Sequence, residues 1–285
     1  MTTNIDQYGA RGRFWTEYME RSRQLIEAME QYPLAECGEP LASIPDAARA
    51  AGVELLFSTT KLAGQMERIF HIRASLIDDL LRIGRTMNDR GWVLKIEDGF
   101  RTEAMQTALG RSPLTFDRIV RMCVWECGGG VPPRELVFRR AKCLVAIIPC
   151  TGTHLCGAAV DVSVFRRDDG TEVSRGKPYM EMSEYTPMDS PFVTAQEHEN
   201  RMEITRLMEQ QGFLHYPGEF WHYNKGDALY QMMMKSGQPG RYGPVHWSPQ
   251  TGTVTPFADV HTPLTTPAVF KQLITDALQR IQDER

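Results

Sequence analysis

A histidine and an aspartate stand seven residues apart around a glycine in the segment TGTHLCGAAVDV, residues 151–162. Zinc accepts both side chains as ligands, through an imidazole nitrogen and a carboxylate oxygen. In a straight strand His154 and Asp161 would lie about 23 Å apart and on opposite faces. In a straight helix they would lie about 10 Å apart. A shared metal ion therefore requires a bend, which Gly157 can supply because it has no Cβ atom.

A second histidine follows a glutamate by three positions in GEFWHY, residues 218–223. On a strand that meets a turn, Glu219 and His222 can face a common centre from different depths. Catalytic zinc usually has three protein ligands and one water molecule. The residue types and spacing therefore predict zinc ligands at His154, Asp161 and His222, with Glu219 beside them as the general base.

Short apolar runs around these segments predict the strands that must position them. Residues 143–150, CLVAIIPC, are predicted to form a buried strand that leads to the histidine, and a second strand carries Asp161. Residues 92–101, WVLKIEDGFR, alternate apolar and polar side chains as a strand does. This strand would deliver Arg101 to the start of a helical segment.

Helical patterns separate the predicted strands. The clearest amphipathic pattern covers residues 66–87, where apolar side chains recur at steps of three and four. Thr194 and Glu197 fit a capping box, and Gly212 fits a C-terminal stop. The predicted helices cover 13–31, 66–87, 113–126 and 194–211, and a final helix begins at Thr266-Pro267. This irregular alternation predicts an α+β fold, in which a small antiparallel sheet packs with helices and holds the zinc site at its edge.

Composition limits the classes of partner. The chain has 285 residues, of which 42% are hydrophobic and 24% charged, and its formal charge of −4 gives no reason to expect nucleic acid or an anionic membrane. The N-terminal residues lack the apolar core of a secretory signal, and no run of about 18 apolar residues occurs. We therefore expect a cytoplasmic protein with reduced thiols.

The cysteines offer an alternative metal site. Cys123, Cys127, Cys143 and Cys150 are separated by four, sixteen and seven positions, which match no common structural zinc module. Buried thiols are the simpler interpretation.

The two histidine segments together resemble the zinc D-alanyl-D-alanine dipeptidases and carboxypeptidases, a group that includes the vancomycin-resistance dipeptidases. The pattern of that family is SxHxxGxAxD followed by ExWH. This chain has GTHLCGAAVD at 152–161 and EFWH at 219–222. EDGFRTEAMQ, residues 97–106, is similar to the arginine segment of the family. The resemblance covers roughly residues 53–230.

The resemblance implies one zinc ion per chain, held by His154, Asp161 and His222. It also implies that Glu219 is the general base and that Arg101 stabilises the transition state. The expected substrate is a short peptide of the D-alanyl-D-alanine type, from cell-wall precursor or its turnover. The oligomeric state stays open.

The extent of the resemblance suggests three regions. Residues 1–52 are expected to form an N-terminal helical extension. Residues 53–230 would form the catalytic domain, and residues 231–285 a loop and helix that pack on it.

Two positions depart from the family pattern. Gly152 replaces the usual serine, although Thr151 and Thr153 could supply a hydroxyl. Met180 stands where the dipeptidases carry an acidic residue that holds the free amine of the substrate. Methionine cannot pair with an ammonium group, so Glu181 or Glu184 would have to replace that contact from a neighbouring position.

These departures keep two alternatives open. One is a zinc carboxypeptidase or amidase that acts on another small peptide. The other is a binding protein that retains the zinc fold without turnover, for which Glu219 and Arg101 would have no physical purpose.

Overall fold

The computed structural model describes the backbone of residues 3–284 and the side chains of residues 9–284. Its helices are α1 (Thr3–Glu30), α2 (Ile44–Ala51), α3 (Ile77–Asp89), α4 (Glu103–Arg111), α5 (Pro113–Glu126), α6 (Arg134–Leu144), α7 (Ala195–Glu209), α8 (Ala228–Met233) and α9 (Pro267–Asp283). Its strands are β1 (Leu41–Ser43), β2 (Leu55–Phe57), β3 (His71–Arg73), β4 (Trp92–Asp98), β5 (Ala159–Arg166), β6 (Leu214–His215), β7 (His222–Asn224), β8 (Val245–Trp247) and β9 (Val254–Pro256).

The main sheet has five strands in the order β2-β4-β5-β7-β6. All neighbours in it are antiparallel except β2 and β4, which are parallel. Helix α3 lies between these two strands in sequence and returns the chain to the same end of the sheet, as a parallel pair requires. The predicted α+β class is confirmed, with one parallel pair in a sheet predicted to be antiparallel.

Helices α3 and α7 pack together over the sheet. Leu80, Ile83 and Met87 of α3 are completely buried in one apolar cluster with Val160 and Val162 of β5. The capping box predicted at the start of α7 is present, because the Thr194 and Glu197 side chains each accept from the other's backbone N–H. These contacts fix β4 and β5 from one side.

A second group of helices, α5, α6 and α9, forms its own apolar cluster. The Phe116 and Phe270 rings meet edge to face at 5.3 Å between centroids. Helix α1 packs on α6 through the buried side chains of Trp15 and Met19. The helix predicted from Pro113 and the final helix after Thr266 are confirmed.

The helix predicted over 66–87 is wrong in its first half. Residues 71–73 form β3, and only Ile77–Asp89 is α-helical. Ile72 is paired with Ala42 of β1. The spacing of three and four between apolar residues does not distinguish a helix from a strand that leads into a turn, and pairing with a distant strand decided the outcome.

The strand predicted over 143–150 is also wrong. Cys143 and Leu144 end α6, and residues 149–151 form a 3-10 turn that begins at Pro149. Ile147 and Ile148 are buried against the second group of helices. The apolar side chains of residues 143–150 are explained by burial among helices, which does not require the segment to pair as a strand.

The C-terminal fifty residues contain a hairpin, β8–β9, that no periodicity in the sequence predicted. Glu36, within the first fifty residues, forms a buried ion pair of 2.8 Å with Arg73 of β3. The division into three regions stays a prediction. None of the helices described is both long and apolar enough to cross a bilayer.

Candidate metal centre

The predicted site residues lie at one end of the main sheet, where β4 finishes and β7 begins. Asp161 of β5 is paired with His222 of β7 on one side and with Asp98 of β4 on the other. A register irregularity between Ile96 and Asp98 lies next to this pair. The sheet therefore places Asp161 in the middle of three neighbouring strands.

His154 reaches Asp161 because the chain bends between them. Gly157 has φ +64°, a left-handed conformation that favours glycine. A Cβ atom at this position would lie 2.4 Å from Leu41 Cδ2, so a side chain would also clash. The bend inferred from the sequence is present, and β5 begins two residues later at Ala159.

The three predicted ligands converge. One ligand atom of each of His154, Asp161 and His222 lies within 4.8 Å of the others, and all three residues are buried. Asp161 Oδ1 lies 3.2 Å from His154 Nε2 and 2.9 Å from His222 Nδ1. Two imidazole nitrogens and one carboxylate oxygen are the donors of a catalytic zinc site that keeps one position open.

Hydrogen bonds orient both imidazole rings toward this centre. His154 Nδ1 donates to the Gly99 carbonyl over 2.6 Å, which leaves Nε2 to act as a ligand. On the other ring, His222 Nε2 lies 3.0 Å from Thr153 Oγ1, which leaves Nδ1 toward the centre. Histidines that bind metals usually donate their second nitrogen in this way. The donor set and its surroundings therefore fit zinc.

The second carboxylate oxygen of Asp161 has partners of its own. Tyr179 donates its hydroxyl to Asp161 Oδ2 over 2.8 Å, and Arg101 Nη2 donates over 3.3 Å. Burial opposes ionisation of Asp161, but the charges of His154 and His222 and their hydrogen bonds hold its pKa well below the ordinary value. Asp161 is therefore a carboxylate with one oxygen held and one oxygen directed at the histidines.

Arg101 is buried and fixed in three directions. Its Nε donates to Asp98 Oδ2 over 2.8 Å, and its Nη1 donates to Gln106 Oε1 over 3.2 Å. Burial lowers its pKa, but the charges of Asp98 and Asp161 outweigh that effect and raise it, so the guanidinium stays charged. Arg101 also lines the pocket in front of the centre. Arg101 therefore lies at the site, and its role in catalysis stays a prediction.

Glu219 lies beside the ligands and lines the same pocket, with Oε2 4.0 Å from His222 Nδ1. Burial, opposed by His222, raises the pKa of Glu219 to about 7, and the Trp221 side chain hydrogen-bonds its carboxylate. A bound cation would lower this pKa because it favours the charged form. A carboxylate that lies beside a metal site is suited to accept a proton from water.

Sequence reasoning missed the direct role of two residues. In the sequence, Tyr179 is marked only as the aromatic residue before Met180, and its contact with Asp161 joins two positions that are 18 residues apart. Thr153 was considered only as a substitute for a missing serine hydroxyl, whereas it contacts His222. The other candidate hydroxyl, Thr151, donates to the Ile148 carbonyl instead.

Comparisons with known proteins match part of the chain that carries the site. Residues 137–237 match the family model described as D-ala-D-ala dipeptidase. This segment includes His154, Asp161, Glu219 and His222, whereas Arg101 precedes it.

Two relatives carry the same description. The chain is 26% identical over 230 residues to a D-alanyl-D-alanine dipeptidase of Synechocystis sp., and the match covers 73% of this chain and 90% of the relative. It is 32% identical over 78 residues to a D-alanyl-D-alanine dipeptidase of Enterococcus faecium, which covers 27% of this chain and 39% of that relative.

Two solved structures show weaker likeness. One is the LdcB LD-carboxypeptidase, with a TM-score of 0.38 and 20% identity over 74% of this chain and 80% of the other. The second is the vancomycin resistance D,D-pentapeptidase VanY in complex with Zn(II), with a TM-score of 0.34 and 15% identity over 69% of this chain and 86% of the other.

Proposed function

We propose that this chain is a zinc metallopeptidase of the D-ala-D-ala dipeptidase family and that it hydrolyses the amide bond of a short peptide of the D-alanyl-D-alanine type. The observation that carries this proposal is the convergence of His154, Asp161 and His222 on one buried point, with Glu219 beside it. Ligands, base and arginine then surround a single pocket.

His154 Nε2, Asp161 Oδ1 and His222 Nδ1 would hold the zinc ion. When bound, zinc polarises the amide carbonyl and lowers the pKa of water, so that hydroxide is available near neutral pH. The hydrogen bonds from His154 to Gly99 and between His222 and Thr153 keep the rings in place for this role.

Glu219 is the general base in this proposal. Its carboxylate accepts the proton of the attacking water and can return it to the nitrogen of the leaving amine. The Trp221 side chain supports this role, because it hydrogen-bonds the Glu219 carboxylate and Glu219 still lines the pocket.

Arg101 stabilises the oxyanion that develops on the carbonyl. Its bonds to Asp98, Gln106 and Asp161 use three of the five N–H donors of a guanidinium. The two remaining donors have no partner among the described residues, and the side chain lines the pocket. A fixed, charged donor of this kind stabilises a transition state without reorganising during the reaction.

The test is a hydrolysis panel of D,D-, L,D- and L,L-dipeptides with their N-acylated versions, using the zinc-loaded full chain. We expect hydrolysis of a D,D-peptide, loss of that activity on chelation, and its return on adding zinc. A protein that binds one zinc ion tightly and cleaves no member of the panel would contradict the proposal. Such a result would favour a zinc-binding protein without turnover.

A further inference from the structure

The pocket in front of the metal centre has an uneven distribution of charge. Among the described residues that line it, the only carboxylates are Asp161 and Glu219, which already serve the metal centre. Its cations are Arg101 and Lys142. Lys142 is neutralised by Glu30 at the end of α1, with 2.5 Å between Nζ and Oε1.

The rest of the lining is largely apolar. It combines side chains from four helices that are distant in sequence, α1, α4, α6 and α8. Its apolar side chains include Ile26, Met29, Leu109, Leu144, Met180 and Leu229. An ammonium group enclosed here would lose its water without gaining a carboxylate partner, which is unfavourable.

The two glutamates nearest in sequence to Met180 do not correct this imbalance. Glu184 is buried and forms an ion pair with Arg11 of α1, and it does not line the pocket. Glu181 also lies outside the pocket lining. The possibility that either glutamate holds a substrate amine therefore has no support in the geometry.

We propose that this pocket selects peptides whose amine is blocked by acylation, and that Met180 is a residue that determines this specificity. The inference rests on the proposed peptidase function and names its substrate class. An acylated nitrogen carries no charge, so it enters an apolar pocket without the cost of desolvating an ammonium group. It also avoids repulsion by the positive charge of Arg101 and of a bound metal ion.

Met180 offers a direct way to change this selectivity. It is half-buried, lines the pocket, and has φ +67°. Aspartate and asparagine adopt this left-handed conformation more readily than methionine, so both fit the backbone. The Met180 carbonyl accepts a hydrogen bond of 2.7 Å from Arg118 Nη1, which holds the backbone in place in either variant.

The experiment compares kcat/KM for N-acetyl-D-Ala-D-Ala and free D-Ala-D-Ala on the zinc-loaded wild type, Met180→Asp and Met180→Asn. We expect the wild type to favour the acetylated peptide at least tenfold. Met180→Asp should reduce that ratio at least tenfold by improving the free dipeptide. Met180→Asn has the same shape without the charge and should leave the ratio near the wild-type value.

A binding measurement keeps this inference separate from catalysis. Calorimetric titration of zinc-loaded Glu219→Gln with the two peptides should show tighter binding of the acetylated one, and Met180→Asp in that background should reverse the order. Preferential binding without hydrolysis by the wild type would refute the peptidase function and leave the selectivity standing. Wild-type preference for the free dipeptide, equal effects of the Asp and Asn variants, or no preferential binding would overturn the inference.

Discussion

The hydroxyl of Tyr179 lies 2.8 Å from Asp161 Oδ2, on the opposite oxygen from the one that faces the two histidines. Burial and the charge of Asp161 raise the pKa of Tyr179 well above its ordinary value, so the phenol stays a neutral donor. The hydrogen bond therefore fixes which carboxylate oxygen is available to a metal ion.

Replacing Tyr179 with phenylalanine should weaken zinc binding by about 10- to 100-fold, the usual effect of losing a hydrogen bond to a metal ligand. Competition with a chromophoric chelator would measure the change. Tyr185→Phe is the matched control, because its hydroxyl has no hydrogen-bond partner among the described residues, and zinc affinity should not change. Equal affinities of Tyr179→Phe and wild type would show that Asp161 is oriented by other contacts.

Glu219→Gln should retain zinc and lose turnover by several orders of magnitude. The amide keeps the size of the carboxylate but cannot accept a proton from water. Metal analysis and steady-state kinetics on the same preparation separate the two effects. Glu181→Gln, outside the pocket, should keep wild-type kinetics. Undiminished turnover in Glu219→Gln would exclude it as the base.

Arg101→Lys should lower kcat by about 10² to 10³, the range for removing one donor to an oxyanion. Lysine keeps the charge but loses the planar arrangement that contacts Asp98, Gln106 and Asp161 together. Arg68→Lys is the control, because Arg68 contacts the same Asp98 oxygen at 2.8 Å without lining the pocket. We expect it to lower kcat less than tenfold, and equal losses in both variants would assign the effect to Asp98.

Asp227 should make stability depend on pH in a direction unusual for an aspartate. It is completely buried at the start of α8, and burial raises its pKa to about 6 from the ordinary 3.8. Because the pKa of Asp227 is higher in the folded state than in the unfolded state, Asp227 destabilises the fold only when it is ionised. The free energy of unfolding is therefore unaffected below about pH 4 and falls by up to about 3 kcal/mol as the pH rises through about 6.

Asp227→Asn removes this titration and keeps an oxygen for the Tyr230 N–H. The variant should gain stability relative to the wild type between pH 5 and 8, measured by denaturant unfolding at each pH. Asp46→Asn is the control. The pKa of Asp46 is lowered, so Asp46 is already ionised in this pH range and its contribution to the free energy of unfolding does not change there. A difference between Asp227→Asn and wild type that stays constant with pH would contradict the assignment.

Part of the molecule could be predicted because the information is local. Thr194 with Glu197 and Pro113 specify helix starts through hydrogen bonds and backbone angles within one turn. The segments 71–73 and 143–150 could not be predicted, because their apolar patterns fit more than one local structure. Pairing with β1 decided the first, and burial among helices decided the second.

The residue types and their spacing predict the chemistry proposed for the site, since only a few residue types bind zinc or move protons, and Gly157 marks the bend that brings two of them together. The hydrogen bonds that hold the predicted ligands, and the shape of the pocket, depend on the tertiary structure. Tyr179 reaches Asp161, and Met29 of α1 reaches the pocket, only because segments far apart in sequence pack against one another. Such contacts depend on the burial of whole helices and loops, which no local spacing encodes.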